Sequence, residues 1–292
     1  MKIEKVGIVG TGTMGNGIAQ TVAVAGMRVV MVDLHASALE AGMATLTGSL
    51  GRLVSKGKLD AAARADALSR IEVSTDYRRL ADVDLAIEAA TENAELKIRI
   101  LRQIEAVVRP DAIIASNTSS ISITMLGATL TAPSRFIGMH FFNPVPLISL
   151  VEIISGLQTG ADTAEVIRAL TLRLGKSPVG IKNSPGFVVN RILVPMINEA
   201  FFVLSEGVGT AEEIDTGMRL GANHPIGPLA LADLIGLDIC LSVLDVLFND
   251  FRDSKYRACP LLREYVAAGQ LGRKTRRGVY RYDEVRDLFA LT

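Results

Sequence analysis

The sequence predicts an α/β protein, a doubly wound parallel sheet followed by an all-helical domain, and three observations carry that prediction. Short β-rich runs alternate with stretches of helical period from residue 5 to residue 181, the pattern of parallel strands joined by crossover helices. The first run passes through a glycine-rich turn straight into a helix. Strand signals stop after SPVGI at 177–181, and only helical periodicity follows.

Taken in order, KVGIV (5–9) is a strand and Gly10-Thr11-Gly12-Thr13-Met14-Gly15 is a G-x-G-x-x-G turn. Residues 15–26 have helical spacing, and RVVMVD (28–33) is a second buried strand ending at Asp33. Alone the glycine pattern is weak; between a strand and a helix, with an acid ending the next strand, it is the fingerprint of a Rossmann-type dinucleotide site. Gly10 permits the turn, Gly12 admits the pyrophosphate, and Gly15 lets helix and strand pack closely. The first helical turn, with Thr13 and Met14, offers its N–H groups to phosphate. Asp33 accepts from ribose hydroxyls and repels a 2′-phosphate. No arginine follows it in Leu34-His35. NAD is therefore the expected cofactor rather than NADP.

The next segments read as helices at 37–56 and 60–70, a strand at 71–75, and a buried strand in DVDLAIEAA (82–90). A helix at 93–108 follows, with Glu95, Arg99 and Arg102 on its wet side, then the strand AIIAS (112–116). Ligands of such sheets sit outside the carboxyl ends of the strands. That rule selects Asp33, the Glu88–Asn93 turn and Asn117-Thr118-Ser119-Ser120 as site candidates. KNSPGF (182–187) marks a boundary, giving a nucleotide-binding domain at 1–184 and a helical domain at 185–292. In the second, helices are expected at 187–206, 211–220, 228–249 and 259–269, with Pro195 kinking the first. Their wide apolar faces predict dimerisation through this domain.

Composition excludes several classes. Lys plus Arg and Asp plus Glu both number 31, so no basic surplus points to nucleic acid. No apolar run approaches the ~20 residues of a membrane helix. The start lacks the pattern of a signal peptide, and two cysteines, Cys240 and Cys259, make no disulfide scaffold. A reduced, cytoplasmic setting is expected, and no metal site.

Two ionisable residues interrupt apolar runs further on. RFIGMHFFNP (135–144) ends a strand at His140, and LISLVEIIS (147–155) carries Glu152 among Val151, Ile153 and Ile154. A core histidine can be satisfied by a carbonyl, but a glutamate is almost never buried without a partner. A mutual hydrogen bond explains both. An imidazole held by a carboxylate beside a nicotinamide site is the acid/base that alcohol–ketone interconversion needs.

The motifs VGIVGTGTMGNGIAQ, EAATENAELK, ASNTSSISIT, HFFNPVPLISLVEII, SPGFVVNRILVPMINEA, EEIDTGMRLGANHPIGPLALADLIGLD and GRKTRRGVYRY span residues 6 to about 282. Together they resemble the 3-hydroxyacyl-CoA dehydrogenase family, especially its short bacterial 3-hydroxybutyryl-CoA branch. The resemblance implies fatty-acid metabolism, an acyl-CoA substrate, NAD and a homodimer. It matches His140 to the catalytic base, Glu152 to its orienting carboxylate, and Ser119 to a serine that bonds substrate and nicotinamide. Asn190 matches an asparagine reaching in from the second domain. Asp33, Glu92, Lys97, Asn143 and Lys274 match cofactor contacts, and Ser49 and Lys56 contacts to coenzyme A. Lys97 and Glu92 also fit ordinary helix-surface charges, whereas Asn190, in an apolar helix, reads as a buried amide that needs partners. His35 and His224 read as loop residues. One departure stands out: Lys274-Thr275-Arg276-Arg277-Gly278 has Arg276 where the family places glycine. If that position needs a positive φ, the Lys274 loop is expected to sit differently.

Three rivals compete with this reading. A sugar-acid dehydrogenase of the gulonate type shares the fold. A hydrolase with Ser119, His140 and Glu152 as a triad lacks a G-x-S-x-G elbow and has no use for the dinucleotide turn. A non-catalytic protein on the same fold has no need of His140 and Glu152.

Overall fold

The computed structural model describes residues 1–282, so the tail after Tyr282, for which the sequence suggests no function, lies outside the described residues. The chain divides into two compact units, Met1–Ser184 and a second beginning at Pro185. The first unit runs β1 (Lys5–Val9), α1 (Thr13–Val24), β2 (Arg28–Val32), α2 (Ala36–Ser55), α3 (Ala61–Ser69), β3 (Ile71–Ser74) and β4 (Leu85–Glu88). It continues with α4 (Ala94–Glu105), β5 (Ile113–Ser116), α5 (Ile123–Gly127), β6 (Phe136–Phe141), β7 (Leu150–Ser155), α6 (Ala161–Arg173) and β8 (Ser177–Lys182). The strands form one sheet in the order β3-β2-β1-β4-β5-β6-β7-β8. Strand order reverses at β1, which lies between β2 and β4, and a ligand crevice opens at such a point.

The wholly parallel sheet expected from the alternating pattern needs one correction. β6 and β7 pair antiparallel, while β7 and β8 are parallel to each other. Residues 142–149 are too few for a helical crossover, which takes a dozen or more residues, so the chain doubles back beside itself. The central strands β4, β5 and β6 are buried at every position, as expected for strands covered on both faces. Ile8, Ile18, Met27, Met31, Leu46 and Ile87 make up part of the core against which the helices pack.

The second unit contains α7 (Val189–Ser205), α8 (Ala211–Gly221), α9 (Pro228–Ile235), α10 (Leu237–Phe251) and α11 (Pro260–Ala267). α7 runs on through Pro195 as one helix. The single helix expected over 228–249 is two, because Gly236 takes φ +107° between them, a conformation outside any helix and open to glycine. α8 begins with a capping box of Thr210 and Glu213. Phe201, Leu229, Leu237, Leu244 and Leu262 form a separate core. No helix among the described residues is long and apolar enough to cross a membrane.

Candidate active site

The turn after β1 has the shape that its glycines dictate. Gly10 takes φ +98°, and a Cβ there would lie 2.8 Å from the Ala89 carbonyl oxygen. A Cβ on Gly15 would overlap the carbonyl oxygen of Gly10, so only glycine lets α1 start this close to β1. Nothing lies within 4 Å of the Cβ position of Gly12, which leaves room for a phosphate against the backbone. No side chain caps α1 at Gly12. Asp33 follows β2 and is held rigidly: its Oδ2 accepts from Thr11 N at 3.0 Å and Thr11 Oγ1 at 3.0 Å. Thr11 is buried, and its part in orienting Asp33 was not foreseen. These residues fit a dinucleotide, with open space at the turn and a fixed carboxylate for a ribose.

At the carboxyl end of β4 the structure builds a buried charge network. Lys97, on α4, is 1% exposed, so the surface-charge alternative is wrong for it. Its Nζ lies 2.8 and 3.0 Å from the two carboxylate oxygens of Glu88 and 3.2 Å from the Ala90 carbonyl. Ser116 Oγ and Ala90 N also donate to Glu88, at 2.5 and 2.7 Å. Glu88 is fully buried, and these three donors satisfy it. Lys97 also reaches Glu92 at 3.4 Å.

Glu92, partly exposed, in turn organises the turn after β5. Its Oε1 accepts from Thr118 Oγ1 (2.6 Å), Ser119 N (2.9 Å), Ser119 Oγ (3.2 Å), Ser120 N (3.0 Å) and Ser120 Oγ (3.0 Å). Burial pushes the Glu92 carboxyl up, but the Lys97 ammonium and the Thr118, Ser119 and Ser120 donors outweigh it, so it titrates below the usual range. Here α4, through Lys97 and then Glu92, bears on Ser119, a connection that no local sequence pattern marks.

His140 and Glu152 are register partners across β6 and β7. Their side chains meet with Nδ1 and Oε2 at 2.8 Å, at 6% and 1% exposure. Opposed residues of an antiparallel pair share a face, so a spacing of twelve residues around one tight connection becomes direct contact. Phe142 packs on the imidazole with ring centroids 4.4 Å apart. Asn117 Oδ1 accepts from Phe141 N at 2.9 Å and steadies the end of β6. Asn143 follows in the connector and is exposed.

The remaining expected residues divide between the units. Ser49 and Lys56 lie two turns apart on α2, the first half-buried and the second exposed at its C-cap. In the second unit Asn190 stands in the first turn of α7, half-buried. The buried-amide argument applies instead to Asn198, 3% exposed, which donates to the Arg257 carbonyl and accepts from Cys259 N. Lys274 Nζ donates to Asp238 at 2.6 Å. Arg276 keeps a left-handed φ of +58°, so the backbone form that glycine would favour is retained with arginine in place. No cluster of metal-ligating side chains occurs among the described residues.

A dinucleotide turn and a buried histidine–carboxylate pair at the same end of one sheet define the class: an NAD-dependent oxidoreductase. Residues 5–184 match the NAD binding domain of 3-hydroxyacyl-CoA dehydrogenase and residues 186–282 its C-terminal domain; the chain belongs to the 3-hydroxyacyl-CoA dehydrogenase family. It is 54% identical over 280 residues to a 3-hydroxybutyryl-CoA dehydrogenase of Bradyrhizobium diazoefficiens, covering 96% of each chain. It is 48% identical over 284 residues to a probable 3-hydroxybutyryl-CoA dehydrogenase of Bacillus subtilis, covering 97% of this chain and 99% of the other. The crystal structure of (S)-3-hydroxybutyryl-CoA dehydrogenase from Ralstonia eutropha superposes with a TM-score of 0.94 at 61% identity, over 97% of this chain and all of that one.

Proposed function

We propose that the protein interconverts (S)-3-hydroxyacyl-CoA and 3-oxoacyl-CoA with NAD, preferring the four-carbon pair. The His140–Glu152 contact at 2.8 Å carries the reading. Its support for the four-carbon substrate is the similarity to proteins described as 3-hydroxybutyryl-CoA dehydrogenases.

NAD, when bound, supplies the acceptor for the hydride leaving substrate C3. Glu152 holds the imidazole through Nδ1, and Nε2 takes the 3-hydroxyl proton during oxidation or returns it during reduction. The buried carboxylate stabilises the imidazolium that forms. Ser119, anchored by Glu92 through its backbone N–H, turns its hydroxyl from Glu92 to the substrate oxygen, and Asn190 adds a second donor to the developing charge. Gly10, Gly12, Thr13, Met14 and Gly15 hold the pyrophosphate, and Asp33 the adenosine ribose. Glu92, Lys97, Asn117, Asn143 and Lys274 complete the cofactor's surroundings, with Lys97 acting through Glu88 and Glu92. Ser49 and Lys56 contact coenzyme A. The protein works in the cytoplasm as a homodimer formed through its helical domain, whose exposed Ile192, Val208 and Leu220 supply apolar surface.

NADH oxidation with acetoacetyl-CoA, longer 3-oxoacyl-CoAs and oxidised sugar acids tests the reading. The highest kcat/KM is expected with acetoacetyl-CoA. Turnover of the sugar acids alone would make the protein a gulonate-type dehydrogenase instead.

A further inference from the structure

One buried cation has no part in the mechanism above. Lys176 is 7% exposed, yet no carboxylate pairs with it among the described residues. It occupies the second position past Leu174, the C-cap of α6. Gly175 takes φ +71°, Gly175 N donates to Leu172 O at 2.9 Å, and Lys176 N donates to Thr171 O at 3.1 Å. That is a Schellman ending, in which this position usually carries an apolar side chain folded back on the helix.

Lys176 instead sends its ammonium under the connector between β6 and β7. Nζ donates to the Val145 carbonyl and the Ile148 carbonyl, each at 2.6 Å. Pro144 O accepts from Leu147 N and Ile148 N at 3.0 Å, closing the same loop from within. Ser177 N donates to Ser149 O at 2.7 Å and ties the loop's far end to the start of β8. Val145 is buried where α1 approaches, and a Cβ added to Gly17 would lie 2.9 Å from its Cβ. The ammonium thus binds together the α6 ending, the connector and, through Val145, the dinucleotide helix.

The connector begins one residue after β6, next to His140, and ends where β7 starts towards Glu152. We propose that Lys176 is a positioning residue for the proton-transfer site, holding the connector by its two carbonyls so that His140, Glu152 and Asn143 keep their relative places. This inference rests on the reading of His140 as the acid/base. Short charge-assisted hydrogen bonds are the strong ones, and two from one group fix the separation of two backbone points. Burial lowers the lysine's pKa without a compensating acid, as expected of a cation held by carbonyls alone. A charge placed so expensively in the interior is explained by what it holds.

A cavity of about 370 Å³ beside Lys176, lined in part by Gln20, Leu53, Ile148 and Arg173, gives small solutes a way to the loop. Chemical rescue therefore tests the assignment. In Lys176→Ala the β6–β7 ladder keeps the register that opposes His140 to Glu152, so the variant should fold. NADH-dependent reduction of acetoacetyl-CoA should lose about 10- to 100-fold in kcat, the scale of ångström misplacement at a reacting centre. Propylammonium at tens of millimolar should restore kcat several-fold, and an uncharged alcohol of the same length should not. Wild-type kcat in a folded Lys176→Ala, or a loss that propylammonium leaves untouched, overturns the proposal. Should the alanine variant not fold, Lys176→Met replaces the stem without the charge. A folded methionine variant with reduced kcat supports the proposal; unchanged kcat, or a second failure to fold, refutes it. His140→Gln measured alongside keeps the two readings apart. If that variant turns over normally, the acid/base assignment fails, whatever Lys176 does.

Discussion

Glu152 lies directly opposite His140 on the one antiparallel pair of the sheet, its Oε2 2.8 Å from Nδ1. The contact belongs to the strand register rather than to a mobile loop, so a substitution that keeps size leaves the geometry in place. Glu152→Gln removes only the negative charge. The imidazolium formed during oxidation loses its counter-charge, so kcat should drop. Folding should survive, since an amide is cheaper to bury than a carboxylate. Steady-state kcat and KM beside wild type decide the matter, and full kcat in a folded variant makes Glu152 structural.

His140→Gln removes the acid/base itself. Loss of a general base costs roughly 10²–10⁴ in rate, and the binding of NADH, titrated by fluorescence, should stay close to wild type. Equal kcat in a folded variant would remove His140 from the mechanism.

Asp33 meets Thr11 through two hydrogen bonds of 3.0 Å, which leaves its carboxylate at a set angle beyond β2. Asp33→Ala should narrow the preference for NADH by removing both the ribose acceptor and the repulsion of a 2′-phosphate. Comparing kcat/KM for NADH and NADPH measures this. An enzyme that already favours NADPH contradicts the assignment.

The legible parts of this molecule are those where chemistry breaks a pattern. His140 and Glu152 stand out because charge interrupts apolar strands, and the glycine turn because its spacing is imposed by phosphate and close packing. Glu88 and Lys97 were harder: a lysine on an amphipathic helix has the period of a solvated residue, and only the fold shows that it turns inward to a buried glutamate. Glu92 hid its role for a similar reason, since its donors come from residues 118–120, far along the chain. The reversal of β7 follows from a connector too short to cross over, a length argument available beforehand. Gly236 was not legible as a helix break, because a lone glycine in an apolar run is compatible with either outcome.

Glu92→Gln tests the anchor of Ser119. The amide still accepts a hydrogen bond but loses the pull of Lys97 and the strength of a charged acceptor. kcat/KM for acetoacetyl-CoA should fall about 10-fold as Ser119 loosens. Because the carboxyl is depressed in the folded state, its stabilisation is complete above the unfolded pKa of about 4.3 and is lost as pH falls through the folded value. The urea midpoint of wild type should therefore exceed that of Glu92→Gln at pH 7, with the gap closing below about pH 4. With the group partly exposed, about 1 kcal/mol at neutral pH is the expected size. A gap that stays constant with pH would show that the charge contributes nothing.

Arg276 offers a test of opposite sign. It takes φ +58° and ψ 9° at the end of the Lys274 turn, a left-handed conformation that costs a non-glycine residue of the order of 1–3 kcal/mol. The loop tolerates this because its neighbours hold it. Tyr282 N donates to Arg276 O at 3.0 Å and Arg276 N to Arg273 O at 2.9 Å. Thr275 Oγ1 donates to the carbonyls of Gly272 and Arg277. Asp233, fully buried, accepts from Val279 N, Tyr280 N and the Tyr282 hydroxyl. Arg276→Gly should relieve the strain and give back part of it as unfolded-chain entropy, for a net gain of about 0.5–1 kcal/mol, or a rise of about 1–4 °C in Tm. The KM for NADH should change less than two-fold, because the backbone that carries Lys274 already has the shape glycine would give it. Gly278 is the control: a Cβ there would overlap Asp233 Oδ1, so Gly278→Ala should lower Tm, where Arg276→Gly raises it. Calorimetry on the two variants reads both signs, and a fall in Tm for Arg276→Gly would mean that the arginine side chain contributes more than its backbone strain costs.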